Sequence, residues 1–417
     1  MVPGPTSAKM APEEGKPAMP TLRALLVAPL ATTLTTALCV LGTTPLPGEE
    51  APSAVRAALA RLVTDGGAPA AALLAEDASG TRYHTAGTTL GRADHFRAGS
   101  ITKTFVATVV LQLSAEGRLG LDDTVDRYLP GLVRGHGNDG RHLTLRSLLS
   151  HTSGLFNYTA DTTVPVPLTP DEAVRTALAH SPGPLGTYAY SNTNYVLLGL
   201  IIQAVTGRTY AAEAERRIIT PLHLTGTSFP GARTTLPEPH SRAYTSRGRD
   251  VTDLDPRQAG AAGELISTLA DLSRFYAALL AGTLLPAAQR RELLSTDSTL
   301  GVYALGIYPQ RLSCSLTVWG HNGHISGSYV RAATTPDGRH TAVFRINTDA
   351  FTDPSLELAL LDAEFCPTST RQPPHAPPSP HAPTASSTPA PPRPPVPARA
   401  PRPSRTPAAP SASAAAS

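Results

Sequence analysis

Residues 96–103 read Phe96-Arg97-Ala98-Gly99-Ser100-Ile101-Thr102-Lys103, and they open a helix expected to run from Ile101 to Glu116 and to stop at Gly117. A Ser at a helix N-terminus faces unpaired backbone N–H groups and the positive end of the dipole, which favour a developing negative charge. A Lys three residues on lies one turn further, over the same face. A neutral amine there can take the Ser proton. The same four residues also suit a plainer purpose, an N-cap Ser beside a surface Lys. The spacing alone does not separate the two.

Composition does more. The chain of 417 residues has three Lys: Lys9, Lys16 and Lys103. From residue 50 onward Lys103 is the only one, beside 31 Arg. Arg stays protonated and cannot act as a base, whereas a desolvated Lys can lose its proton. The single Lys therefore falls where Arg would fail.

Two further stretches carry chemistry. Tyr190-Ser191-Asn192 lies within residues 186–195. A Tyr hydroxyl there can act as general acid or base, provided a nearby Lys cation lowers its pKa, and the Asn side chain can hold a substrate amide. Taken alone, the tripeptide is an ordinary loop sequence. His321-Asn322-Gly323 follows Val318-Trp319-Gly320 into a strand. A cationic or polar residue followed by Gly lets a substrate lie along an edge strand and pair with its backbone. The backbone N–H near His324 is expected to join that of Ser100 as an oxyanion hole. The alternative is that His321 and His324 are metal ligands. No H-E-x-x-H or Cys/His cluster accompanies them, so neither a metal nor another cofactor is expected.

In the order Ser-x-x-Lys, Tyr-Ser-Asn, His-x-Gly, the chain resembles the penicillin-recognising serine hydrolases, a group that also uses S-D-N and K-T-G variants. It is most similar to the secreted serine D-alanyl-D-alanine carboxypeptidases and the class C β-lactamase superfamily. Residues 148–155, 262–268 and Leu312-Ser313-Cys314 extend the resemblance over about 50 to 366. It implies an acyl-serine hydrolase with Ser100 as nucleophile and Lys103 and Tyr190 sharing the proton work. Asn192, His321, Asn322, Gly323 and His324 would bind substrate. The implied substrate is a peptidoglycan-type peptide ending in D-Ala-D-Ala, with β-lactams as acylating ligands and a monomer as the working unit. Esterase, D-amino-acid peptidase or β-lactamase activity on the same fold is the alternative, and a non-catalytic cell-wall-binding protein is a third.

Departures from the family pattern cluster at one function. By alignment from Cys314, the Arg that grips a terminal carboxylate is replaced by Tyr308, and the accompanying Thr by Asn322. Arg311 is three residues off. A family Trp is lost near Gln258. A Tyr cannot replace the bidentate clamp of an Arg.

Around these motifs the pattern reads helix 51–63, strands 70–76 and 83–88, a helical and loop-rich region 119–257, and a helix 270–281. Strands 302–307, 316–319, 329–335 and 340–347 follow, with Pro336-Asp337-Gly338 as a hairpin turn, and then a helix 354–365. This order predicts an α/β protein of the α+β kind: an antiparallel sheet flanked by helices, with an inserted all-α lobe.

The flanks differ from the body. Residues 1–49 hold an uncharged run after Arg23 that suits a secretory leader, with a membrane anchor as the alternative. Export makes Cys314 and Cys366 an expected disulfide, the alternative being two buried thiols. Residues 367–417 hold 17 of the 42 Pro, five Arg and no acid, a composition expected to stay disordered. Without that tail the net charge of +3 becomes −2, with 30 basic against 32 acidic residues. A nucleic-acid-binding core is thereby excluded.

Overall fold

The computed structural model describes residues 50–161, 163, 169–349 and 351–366. The leader and tail readings lie outside these residues. No helix among the described residues is long and apolar enough to cross a membrane.

Six strands form one antiparallel sheet: β1 (Ala70–Asp77), β2 (Gly80–Gly87), β3 (Tyr308–Arg311), β4 (Thr317–Ile325), β5 (Ser328–Thr334) and β6 (Thr341–Ile346). Their spatial order is β2-β1-β6-β5-β4-β3. The two ends of the chain thus meet at β1 and β6, with Leu73 opposite Phe344. Alternation along β1 sends Ala71, Leu73 and Ala75 to one apolar cluster and Ala70, Ala72 and Leu74 to the other. Both faces must therefore be covered. Helices α1 (Glu50–Thr64) and α6 (Ser355–Phe365) cover one face through Leu59, Leu62, Leu360 and Phe365. On the other face lie α2 (Thr102–Ala115) and α5 (Leu269–Ala281), where Phe105 and Phe275 stack with centroids 3.8 Å apart.

The helical insertion is built around α3 (Pro170–Leu178) and α4 (Asn192–Thr206). Thr169 caps α3 in a reciprocal capping box with Glu172. Tyr195, Leu197 and Leu198 of α4 bury in the same cluster as Phe105 and Val109 of α2. One apolar core therefore joins the insertion to the sheet.

Two expectations change. Residues 302–307 are a loop, buried from Tyr303 onward, and the strand begins at Tyr308. Gly301 and Gly306 have left-handed backbones (φ +93° and +80°), which break an extended run. Burial of Tyr303, Ala304, Leu305 and Ile307 explains the apolar pattern without a strand. The strand begun at 316–319 instead runs on through His321-Asn322-Gly323 to Ile325.

Cys314 and Cys366 form the expected disulfide, with Cα atoms 5.7 Å apart and a sequence separation of 52. It ties α6 to the β3–β4 turn. Reduction, or a Cys314→Ala/Cys366→Ala pair, is expected to lower the unfolding free energy by about 2–4 kcal/mol through a freer unfolded chain. Urea midpoints with and without reductant measure this, and coincident curves would rule it out.

Candidate active site

Ser100 lies in a 3-10 turn, Gly99–Ile101, that leads directly into α2. Gly99 has φ +50°, and a Cβ on it would lie 2.8 Å from the backbone nitrogen of His324. Only glycine tolerates both the left-handed backbone and that contact. The backbone of β4 is thereby brought against the nucleophile's turn.

Lys103 is fully buried in the first turn of α2. Its Nζ lies 3.0 Å from Ser100 Oγ, 2.8 Å from Asn192 Oδ1 and 2.7 Å from the Ala262 carbonyl. The last two can only accept. The Asn192 amide is oriented because its Nδ2 donates to Thr159 Oγ1 at 2.9 Å, and Thr159 in turn donates to Asn157. A neutral amine has two N–H groups and one lone pair. Both N–H groups are used by the two obligate acceptors, which leaves the lone pair for the Ser100 hydroxyl. Burial also pushes the Lys103 pKa well below its usual value.

Tyr190 precedes the N-terminus of α4, and its hydroxyl donates to Ser100 Oγ at 2.8 Å. Lys103 Nζ sits 4.8 Å from the centre of its ring. The expected lowering of the Tyr190 pKa is not what burial does: desolvation raises it, with the Ser100 bond a smaller opposing effect. Tyr190 therefore holds its proton while Lys103 is the group that gives its own up.

The His-x-Gly stretch departs from expectation at three positions. His321 is neither cationic nor on the cleft. It is buried, Tyr303 donates to its Nε2 at 2.8 Å, its Nδ1 donates to the Asn322 carbonyl, and burial pushes its pKa down to about 3. Asn322 donates to the Tyr329 hydroxyl at 3.2 Å. Gly323 does not clear room for substrate: a Cβ there would lie 1.9 Å from the Ala98 carbonyl oxygen, so the space is filled by the chain's own backbone. His324 is exposed and lines the cleft, as do Ser100 and Asn192.

That cleft has a volume of about 340 Å³. Sequence reasoning missed Thr159, Asp255 and Ala262 on its walls. Ala262 does fall within the family-like stretch 262–268. Among the described residues no Arg or Lys lines the cleft, and Asp255 pairs with the exposed Arg257. Tyr308 lies beneath the guanidinium of buried Arg331, 4.4 Å from its ring centre. Arg311 pairs with Thr317, three residues and about 10 Å along β3 from the Tyr308–Gly320 pair. As Tyr308 and Asn322 lead us to expect, the family's carboxylate clamp has no counterpart among the described residues of this cleft.

Among the described residues, Asp77, His340 and Glu364 are the one group near enough to share a metal ion. Arg82 already binds both carboxylates, at 2.8 and 2.6 Å. The cluster is an ion-pair network joining the first hairpin to α6.

Residues 55–365 match the beta-lactamase family. A D-stereospecific amidohydrolase from Streptomyces sp. superposes with a TM-score of 0.71 at 44% identity, covering 76% of this chain and 99% of that one. A D-amino acid amidase from Ochrobactrum anthropi SV3, solved with L-phenylalanine, has a TM-score of 0.66 at 26% identity, covering 75% and 98%. Penicillin-binding protein 4 of Amycolatopsis lactamdurans is 30% identical over 264 residues, 60% of this chain and 67% of that relative. Other curated relatives are matched over about half of their length, 53%, or less, 28%. A Ser-x-x-Lys nucleophile on a helix-flanked antiparallel sheet, matched over nearly the whole described body, places the chain in the beta-lactamase family as a serine hydrolase of the fold shared with penicillin-binding proteins.

Proposed function

We propose that this hydrolase is a D-stereospecific amidohydrolase that cleaves D-aminoacyl amides and short D-peptides through an acyl-Ser100 ester. The carrying observation is a cleft with no Arg or Lys among the described residues of its lining, and with Tyr308 where the family has a carboxylate-gripping Arg. A substrate whose leaving side ends in a free carboxylate finds no cation there. The likeness to the Streptomyces amidohydrolase and the Ochrobactrum amidase supports the D-amide preference. The same observation favours this reading over a D-Ala-D-Ala carboxypeptidase.

In the proposed reaction, Ser100 Oγ attacks the amide carbonyl and its proton passes to the Lys103 lone pair. The oxyanion lies at the N-terminus of α2, toward the backbone N–H groups of Ser100 and His324. Tyr190 gives its hydroxyl proton to the departing amine, and the proton that Lys103 took from Ser100 restores the Tyr190 hydroxyl. Water then cleaves the ester. Export of the enzyme, read from the leader, belongs to the same proposal.

The test compares D-phenylalanine amide, its L-enantiomer, and an acyl-D-Ala-D-Ala peptide in free-acid and C-terminal amide forms. The D-amide is expected to exceed the L-amide in kcat/KM. The peptide amide is expected to exceed the free acid by at least about tenfold, the worth of a missing charged hydrogen bond. Faster release of D-Ala from the free acid would restore the carboxypeptidase assignment.

A further inference from the structure

We propose that His151 is a positioning residue for Tyr190, holding the chain on both sides of it and packing on its ring. The inference rests on Tyr190 being the proton donor to the leaving amine.

His151 lies after the short helix Leu145–Leu149 and is fully buried. Its carbonyl accepts the Ala189 N–H at 2.9 Å, and its Nδ1 accepts the Ser191 N–H at 3.2 Å. These are the two residues that flank Tyr190. The imidazole centroid is 4.2 Å from that of the Tyr190 ring, at 34° between planes. One residue thus meets the Tyr190 segment at three points.

The imidazole is itself fixed. Leu155 N–H donates to Ser153 Oγ, so Ser153 gives its own proton to Asn194 Oδ1 at 2.6 Å. That turns Asn194 Nδ2 toward His151 Nδ1, at 3.1 Å. With two donors on Nδ1, the ring proton is on Nε2, which has no hydrogen-bond partner among the described residues. Burial, and then the nearness of Lys103, disfavours the imidazolium. A cationic ring would disfavour the protonated Lys103 that forms when the Ser100 proton arrives; a neutral ring does not. The backbone of His151 is left-handed, φ +59°, a conformation that costs a non-glycine residue about 1 kcal/mol or more. Local preference therefore does not select it; the contacts to residues 189–191 accompany it.

A buried structural His and a positioning His differ in what they do to the leaving group. An amide needs a proton on its departing nitrogen, whereas p-nitrophenolate leaves without one. The experiment measures kcat/KM, which reads acylation, for a D-aminoacyl amide and for the p-nitrophenyl ester of the same acid. His151→Phe keeps an aromatic ring and removes Nδ1. It is expected to lose about 10²-fold on the amide and less than about threefold on the ester. His151→Asn returns an acceptor near the Nδ1 position and is expected to recover at least about tenfold of the amide rate. Should His151→Phe fail to fold, the same amide-over-ester selectivity is read from His151→Asn against wild type. Tyr190→Phe is expected to show the amide-selective loss in full, and the double variant with His151→Phe to add nothing to it. A Tyr190→Phe enzyme that loses ester and amide alike overturns the proton-donor reading and the positioning role with it. Selective loss in Tyr190→Phe, with equal ester and amide losses in the His151 variants, overturns the positioning role alone.

Discussion

Lys103→Arg is expected to lower amide kcat/KM by about 10²–10⁴-fold, the range for loss of a general base. A permanent charge replaces a neutral amine and the proton acceptor is lost, since a guanidinium does not deprotonate in proteins. Arg is also larger, and in a fully buried site overpacking costs about 1–3 kcal/mol. Lys103→Met separates the two effects. It keeps the length and apolar stem, but leaves the Asn192 and Ala262 oxygens without their donor, at about 1–3 kcal/mol each. Both variants are expected to lose turnover to a similar degree, although one carries a positive charge at the site and the other carries none. A Ser100→Ala chain, which cannot form the ester, sets the floor.

The pH profile gives the sign. The base works only when unprotonated, so the wild-type rate falls as pH drops through the Lys103 pKa. Burial moves that pKa below the ordinary lysine range, and the acid limb of kcat/KM is expected to move with it. The limb should be absent in both Lys103 variants. A wild-type rate that climbed only near pH 10, the ordinary lysine range of about 10.4, would contradict the lone-pair assignment.

Gly323→Ala is expected to be the second severe change, although no side chain is lost. Its new Cβ would lie 1.9 Å from the carbonyl oxygen and 2.9 Å from the carbonyl carbon of Ala98. Both are backbone atoms two residues before the nucleophile, so no rotamer change relieves the contact. Strand β4 or the Ser100 turn must move by about 1 Å, a displacement that typically costs about 10²-fold in rate. The cost in stability should be about 1–3 kcal/mol. Amide kcat/KM at a temperature well below the unfolding midpoint, together with that midpoint, gives both numbers. Full activity in the Ala variant would show that the Ala98–Gly323 contact does not hold the oxyanion side of the cleft.

The hairpins and flanking helices were legible because their signals are local. Pro336-Asp337-Gly338 does turn β5 into β6, and the short apolar run of residues 70–75 is a strand buried on both faces. Residues 302–307 carried the same apolar signal but became a loop, because periodicity cannot tell a buried strand from a buried coil between two left-handed glycines. His151 stood inside a stretch already quoted for its likeness to the family. Its partners, Ala189 and Ser191, lie about forty residues away, beyond any spacing rule. Arg331 is a fully buried cation beneath Tyr308, and nothing in its own neighbourhood of sequence marks it as buried.

The residue types alone were enough to single out Ser100 and Lys103, because an Arg-rich body that keeps a single Lys one helical turn from a Ser leaves one amine able to take a proton, but they left the base open between Lys103 and Tyr190. Parity and the expected export likewise pointed to Cys314 and Cys366. Protonation states were a different matter. They follow desolvation, which depends on what the folded chain packs around each group: burial made Lys103 the acceptor, left Tyr190 with its proton and made His321 neutral. Tyr308 and Asn322 already marked the altered carboxylate reader in the sequence; the fold added placement, since the strand register carries Arg311 away from the Tyr308 position and the core sets Arg331 behind Tyr308.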